Sequence, residues 1–385
     1  MSNFIENIRQ RFAPIQLIPP GMYHYIAPQD DPRNYRLHLR IEPDGSGVLI
    51  VNAATVLHLN QTAAEYAYYF VENTPASEVA RVVAKRYHVP AEQAFNDYRD
   101  LGQRILTLVE TPDLDPVTFL DFSRSQPYST RPSAPYRLDC ALTYRLPPGA
   151  DPDDAPTKRV ERELNTAEWA QVLEKAWAAG IPQVVFTGGE PTLRDDLPTL
   201  IEHAEYLGQV SGLLSDGLKF ADPAYLDRLL RTGLDHLLLI YQADSDAWWN
   251  ALHNALAGDI FTAVHLTLTA GNREGFPRLL ERLAEANAPA ISLSAASPDL
   301  APDLQTARNL AADLHLELVW NLPVPYSAQN PVSLELPDAE TPQGAGRAWL
   351  YVEPDGDVLP GQGVEGVLGN LLTDRWEEIW KKALG

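Results

Sequence analysis

Gly188-Gly189-Glu190-Pro191 is the stretch of this chain best suited to hold a ligand. Two adjacent glycines let a backbone pass close to a bound molecule with no Cβ in the way. A carboxylate at the carboxyl end of a strand, here Glu190, is placed to hold a ligand's amine. Ser215-Asp216-Gly217 offers a hydroxyl and a second carboxylate in another turn. The competing reading of the Gly188–Pro191 stretch is a tight turn with a solvated Glu. Other chemistry is sparse. The single cysteine, Cys140, excludes an intramolecular disulfide and any all-cysteine metal or iron–sulfur site within the chain. The nine histidines include no pair at i, i+4, so no zinc motif is visible. Asp151, Asp153 and Asp154 suit a hard cation, or simply form a solvated acidic loop. No Ser-His-Asp or paired-carboxylate spacing stands out, although distant residues can still meet in space.

These turns need strands and helices to hold them. Gln183–Thr187 is a short β-branched run before the Gly-Gly turn, and a helical pattern follows from Asp195 to Leu207. The same alternation runs through residues 136–321. Strands are expected at Arg137–Leu142, Val210–Leu214, His236–Tyr241, Ala263–Leu268, Ala290–Ser294 and Glu317–Trp320. Helices are expected at Thr166–Ala179, Pro223–Arg231, Ser245–Leu256, Gly275–Ala286 and Asp303–Leu314. Regular βα alternation argues a parallel sheet in an α/β fold. The spacing suits a full or partial (β/α) barrel of the TIM type, with ligands at the carboxyl ends of its strands. An open Rossmann sheet is the alternative, but no G-x-G-x-x-G follows the first strand.

The segment before the barrel reads differently. Residues 1–34 look irregular, broken by Pro19-Pro20-Gly21 and Asp30-Asp31-Pro32. Residues 35–112 read as three strands, Arg36–Ile41, Val48–Val51 and Thr55–Leu59, then three helices. Asn60 caps the first helix, Thr74 caps the second with Pro75 in its first turn, and Pro90 opens the third. This order is that of a small α+β winged-helix-like domain. A proline-punctuated linker spans 113–135. After the barrel, 322–385 is a short tail: strands at Trp349–Glu353 and Val358-Leu359, then a helix over Asp374–Leu384.

The bulk numbers limit partners. The net charge is −22, which disfavours nucleic acid and favours a basic peptide. No run of eighteen apolar residues suggests a membrane span. The first ten residues lack the pattern of a secretory signal, so a cytoplasmic location is expected.

Three resemblances build on these residues. Residues 35–112 resemble a PqqD-like domain, the precursor-recognition element of peptide-modifying systems. The similarity rests on Leu59-Asn60, Thr62-Ala63, Glu65, Thr74–Ala80 and Tyr87–Glu92. It implies a leader peptide adding as a strand at the sheet edge. Residues 136–321 resemble the radical S-adenosylmethionine (radical SAM) family through Gly188–Pro191 and Ser215-Asp216-Gly217. The resemblance implies that Gly188, Gly189, Glu190 and Pro191 hold the amino group of S-adenosylmethionine, with Ser215 and Asp216 near its ribose. The tail resembles the auxiliary-cluster (SPASM/twitch-like) region of peptide-modifying members, through Pro354–Pro360 and Leu368-Gly369-Asn370.

Both cysteine sets are absent. The family's Thr-Tyr-Arg-Cys survives as Thr143-Tyr144-Arg145, but Leu146, Ala150 and Asp153 stand where three cluster cysteines belong. Gly361 stands where the tail's cysteine belongs. The expectation is a radical-SAM-like pseudoenzyme without an iron–sulfur cluster or other metal. It would bind a ribosomally made precursor peptide, as a recognition subunit or as partner of an active radical SAM maturase. The alternative is an enzyme that binds S-adenosylmethionine or another nucleotide and runs non-radical chemistry. A purely structural subunit is a third reading.

Overall fold

The computed structural model describes residues 17–111, 132–148, 160–319 and 344–385, apart from positions 29, 54, 259, 363 and 365, together with 114, 116 and 120. The chain divides into two compact units, Met1–Gln126 and Pro127–Gly385. That division falls inside the linker expected at 113–135.

In the first unit, β1 (Gly21–Ile26), β2 (Arg36–Ile41), β3 (Gly47–Val51) and β4 (Thr55–Leu59) form an antiparallel sheet in that order. Three helices follow: α1 (Gln61–Val71), α2 (Ala76–Tyr87) and α3 (Ala91–Glu110). Alternate residues Leu37, Leu39, Ile41, Leu49, Val51, Leu57 and Leu59 are buried against the helix stripe Ala94, Tyr98, Ile105 and Leu108. Asn60 caps α1 by accepting from Ala63 N at 2.9 Å, as expected. Inside this core the Glu65 carboxylate accepts from Arg86 Nη1 at 2.6 Å and Tyr87 Oη at 2.7 Å. That contact ties the end of α2 to α1.

Two expectations fail here. Residues 17–34 are not wholly irregular: Gly21–Ile26 pairs residue by residue with Arg36–Ile41. Of the breaker clusters only Gly21 falls within this strand, at its first position, and Tyr23 and Tyr25 pack on the core. The unit therefore has four strands rather than three, and it starts before residue 35. Thr74 also does not cap α2; Pro75 takes that position, in extended conformation and without a side-chain bond.

In the second unit, six parallel strands alternate with helices. They are β5 (Arg137–Thr143), β6 (Gln183–Gly188), β7 (Val210–Ser215), β8 (His236–Ile240), β9 (Phe261–Leu268) and β10 (Ala290–Ala295). Between them run α4 (Thr166–Ala178), α5 (Leu197–Leu207), α6 (Pro223–Arg231), α7 (Asp246–Ala257) and α8 (Phe276–Glu285). Next come α9 (Ala301–Asp313) and β11 (Glu317–Leu318), which joins β10 in parallel. The neighbours pair in sequence order, as a partial (β/α) barrel requires. Leu138, Cys140, Leu142, Val184, Phe186, Leu213, Leu237, Leu239, Val264 and Leu266 turn to the helices. The alternate positions turn inward, where Leu214, Leu238, Ala263 and Ala290 form an apolar layer.

The expected tail is not a separate packing unit. β12 (Trp349–Val352) pairs in parallel with β5 and extends the barrel sheet. β13 (Asp357–Leu359) and β14 (Gly369–Asn370) continue it as antiparallel strands. The last helix, α10 (Trp376–Leu384), sends Ile379 and Trp380 into the barrel's helix-side core. Trp380 Nε1 donates to Pro132 O at 3.0 Å. These are contacts more than two hundred residues apart, which local patterning does not announce. Residues 321–343, proline-rich and expected to be irregular, lie outside the described residues, as do Ala150, Asp151, Asp153 and Asp154. No helix among the described residues is long and apolar enough to cross a membrane.

Candidate functional site

The site begins where β6 leaves the sheet. Gly188 has φ +123°, and a Cβ on it would lie 2.2 Å from Thr143 O. A Cβ on Gly189 would lie 2.3 Å from Arg145 O. Gly189 N donates to Thr143 O at 2.7 Å, and Glu190 N to Arg145 O at 2.8 Å. The glycines therefore admit the exit of β5. They lock the two strand ends together by backbone hydrogen bonds.

That lock aims Glu190. Pro191–Leu193 forms a single 3₁₀ turn, and the helix expected from Asp195 follows at Leu197–Leu207. Glu190 caps this turn, with Oε1 accepting from Thr192 N at 2.9 Å. Ser215 Oγ lies 3.0 and 3.1 Å from the two carboxylate oxygens, and Asp216 N donates to Oε2 at 2.8 Å. Gly217, at φ +77°, turns the chain so that its N donates back to Ser215 Oγ at 3.0 Å. Glu190, Ser215 and Asp216 are thus brought together from the ends of two adjacent parallel strands. Pro191 is buried behind them.

The Glu190 carboxylate is only 2% exposed. Burial, then the Asp216 carboxylate, pushes its pKa up to about 7. Burial also raises Asp216. Lys219 is nearby, but its Nζ donates to Thr192 O rather than to either acid. Three donors already serve Glu190, and a carboxylate offers about four lone-pair sites. An incoming amine would meet one remaining site behind closed packing, unless the Ser215 hydroxyl turns away.

Arg194 braces the same corner. Its Nη1 donates to Leu142 O and Leu164 O, both at 3.0 Å. Nε and Nη2 grip Asp196 at 2.8 and 2.7 Å. Thr143 Oγ1 bonds to Glu163 just above. Arg194 was not among the expected site residues; its signal in the sequence is a basic residue two positions before an aspartate at a helix start.

An iron–sulfur cluster does not fit the described residues. The mouth beside β5 presents Thr143, Tyr144, Arg145 and Leu146, none of them a thiolate. Cys140 is fully buried on the helix side of β5, and burial pushes its thiol far up. It points away from the barrel interior.

On the opposite inner wall, His265 of β9 meets Ser292 and Ser294 of β10, with Thr267 beside it. This group was also missed by sequence spacing. Its signal was polar residues at alternate positions in two otherwise apolar strands.

The Radical SAM superfamily pattern matches residues 140–258, from β5 through α7. Residues 140–258 form a radical SAM domain. The PqqA peptide cyclase of Gluconobacter oxydans is 40% identical over 120 residues, covering 31% of this chain and 33% of that protein. The chain thus spans about a third of that relative's length. The PqqA peptide cyclase of Xanthomonas euvesicatoria pv. vesicatoria is 28% identical over 259 residues, covering 57% of this chain and 67% of that protein. Among solved structures, Streptococcus suis SuiB bound to its precursor peptide SuiA superposes with a TM-score of 0.57 at 15% identity. The match covers 93% of this chain and 88% of SuiB. The similarity is one of fold. It extends over both units, so the radical SAM domain here sits in a chain resembling SuiB almost end to end.

Proposed function

We propose that this chain is a cluster-free radical-SAM-like protein that binds a ribosomally made precursor peptide and serves its modification as a recognition or partner subunit. The observation that carries the proposal is the donor set. One cysteine exists, and it is buried on the wrong face of β5. A cluster needs several thiolates at the barrel mouth. The peptide part is supported by the four-stranded sheet and three helices of the first unit, by the PqqD-like motifs, and by relatives whose names concern peptides. A strand added at the edge of that sheet would gain backbone hydrogen bonds, with alternate side chains setting specificity. The negative surface favours a leader with basic residues. Domain limits for this role are the first unit for recognition and 127–385 for the scaffold.

The test is fluorescence anisotropy of a labelled precursor peptide, encoded beside the gene, titrated with the full chain. Saturable binding at micromolar concentration supports the proposal. Absence of binding by every neighbouring peptide rejects it.

A second reading keeps a ligand at the mouth. Glu190, Ser215 and Asp216 would hold the amine and ribose of S-adenosylmethionine, or of another nucleotide, for non-radical chemistry. The raised pKa of Glu190 favours it, because a buried acid pair without a bonded cation is relieved by an ammonium group. Calorimetric titration of S-adenosylmethionine separates the two readings.

A further inference from the structure

The inner wall opposite Glu190 carries a second polar group that neither reading uses. His265 of β9 lies between β8 and β10, directly across from Ser292. Its Nδ1 lies 3.1 Å from Ser292 Oγ. Its Nε2 lies 3.2 Å from both Thr267 Oγ1 and Ser294 Oγ, which are 3.2 Å apart. His265, Ser292 and Ser294 are buried, but Thr267 is exposed. The arc is therefore closed at its back and open at Thr267. Below it lies the apolar layer of Leu214, Leu238, Ala263 and Ala290, edged by Ile240.

We propose that this arc is a ligand subsite for a primary carboxamide. Four inner positions in a row are polar where the layer beneath is apolar, and burying polar groups costs free energy that Leu or Ala would not. Every member is uncharged: the hydroxyls by nature, and the imidazole because burial lowers His265 to about 4. A neutral imidazole offers one donor and one acceptor, and each hydroxyl offers both. The arc therefore suits a small planar group that donates and accepts at once. An ammonium offers only donors and a carboxylate only acceptors, and either would place a charge against the apolar layer. Amide side chains of a peptide and free amide cofactors such as nicotinamide share this chemistry. The inference does not depend on peptide binding by the first unit.

The test uses the full chain with isotope-labelled histidine, following the His265 ring by NMR, with the signal assigned by its loss in His265→Gln. Three small probes of similar size are titrated: propionamide, its isostere propionate, and propylammonium. The expected result is a saturable shift with propionamide alone. Thr267→Val, an exposed isosteric change, should weaken that binding about tenfold, and Ser294→Ala should do the same from the buried side. N-acetylglutamine methylamide and nicotinamide then distinguish a peptide source from a cofactor source by which binds more tightly. A shift of equal size with a charged probe overturns the proposal. So does no saturable shift with any amide, or unchanged affinity in both variants.

Discussion

Replacing Glu190 by Gln should remove a specific pH dependence of stability. In the folded chain, burial and Asp216 hold the Glu190 acid at about 7. In the unfolded chain it returns to the ordinary value of about 4.3. Between these values the folded state binds the extra proton. Stability from this group is therefore fully present below about pH 4, and is lost as pH rises toward 7. A difference of two to three pKa units corresponds to about 3–4 kcal/mol. Gln does not titrate, so the variant lacks this slope. It also turns an amide donor toward either Thr192 N or Asp216 N, losing one bond at a fixed cost of about 1–3 kcal/mol. Urea unfolding of both proteins at pH 5, 6, 7 and 8 gives the comparison, and subtraction cancels the titrating groups other than Asp216, which interacts directly with Glu190. The wild type should lose about 2–3 kcal/mol relative to Glu190→Gln between pH 5 and pH 8. Parallel curves, or a wild type that gains on the variant as pH rises, would refute the burial argument.

Other outcomes follow from the same geometry. Gly189→Ala forces Arg145 O away and breaks the bonds at Thr143 and Arg145; it should cost about 2–4 kcal/mol and lower the melting temperature by roughly 5–12 °C in calorimetry. Arg194→Met should loosen the β5 exit and the start of α4 together, seen as faster hydrogen exchange in 142–146 and 164–168 with little change in the first unit. Cys140 should resist a thiol reagent in the native chain and react once per chain in denaturant, because its thiol is buried and hard to ionise. Glu65→Ala leaves Arg86 unpaired and Tyr87 without its acceptor; thermal melting should show the first unit weakened by about 2–4 kcal/mol.

Much of the barrel was legible because its signals are local. Each strand from Arg137 to Ala290 is a short apolar run, and each helix follows a cap or a proline. The meeting of Glu190 with Ser215 and Asp216 was also legible, since both turns end adjacent parallel strands. What the glycines contact was not legible: residue type shows that space is needed, not whether a ligand or the chain itself fills it. β1 was hidden because six residues with two tyrosines sit between proline clusters. The joining of β12 to β5 and the seating of Trp380 depend on contacts far apart in sequence. The His265 arc was hidden for the same reason. Its members lie 25 to 29 positions apart across two strands, apart from the neighbouring Thr267.

The most direct test of the proposal that the barrel holds no cluster is anoxic reconstitution with iron and sulfide, followed by desalting, an iron assay and an absorption spectrum on the same sample. The donor set predicts no stoichiometric iron and no thiolate-to-iron charge-transfer band, with peptide binding unchanged before and after the treatment. Retained iron with that band would contradict the account, because it would mean that ligands other than clustered cysteines assemble the centre.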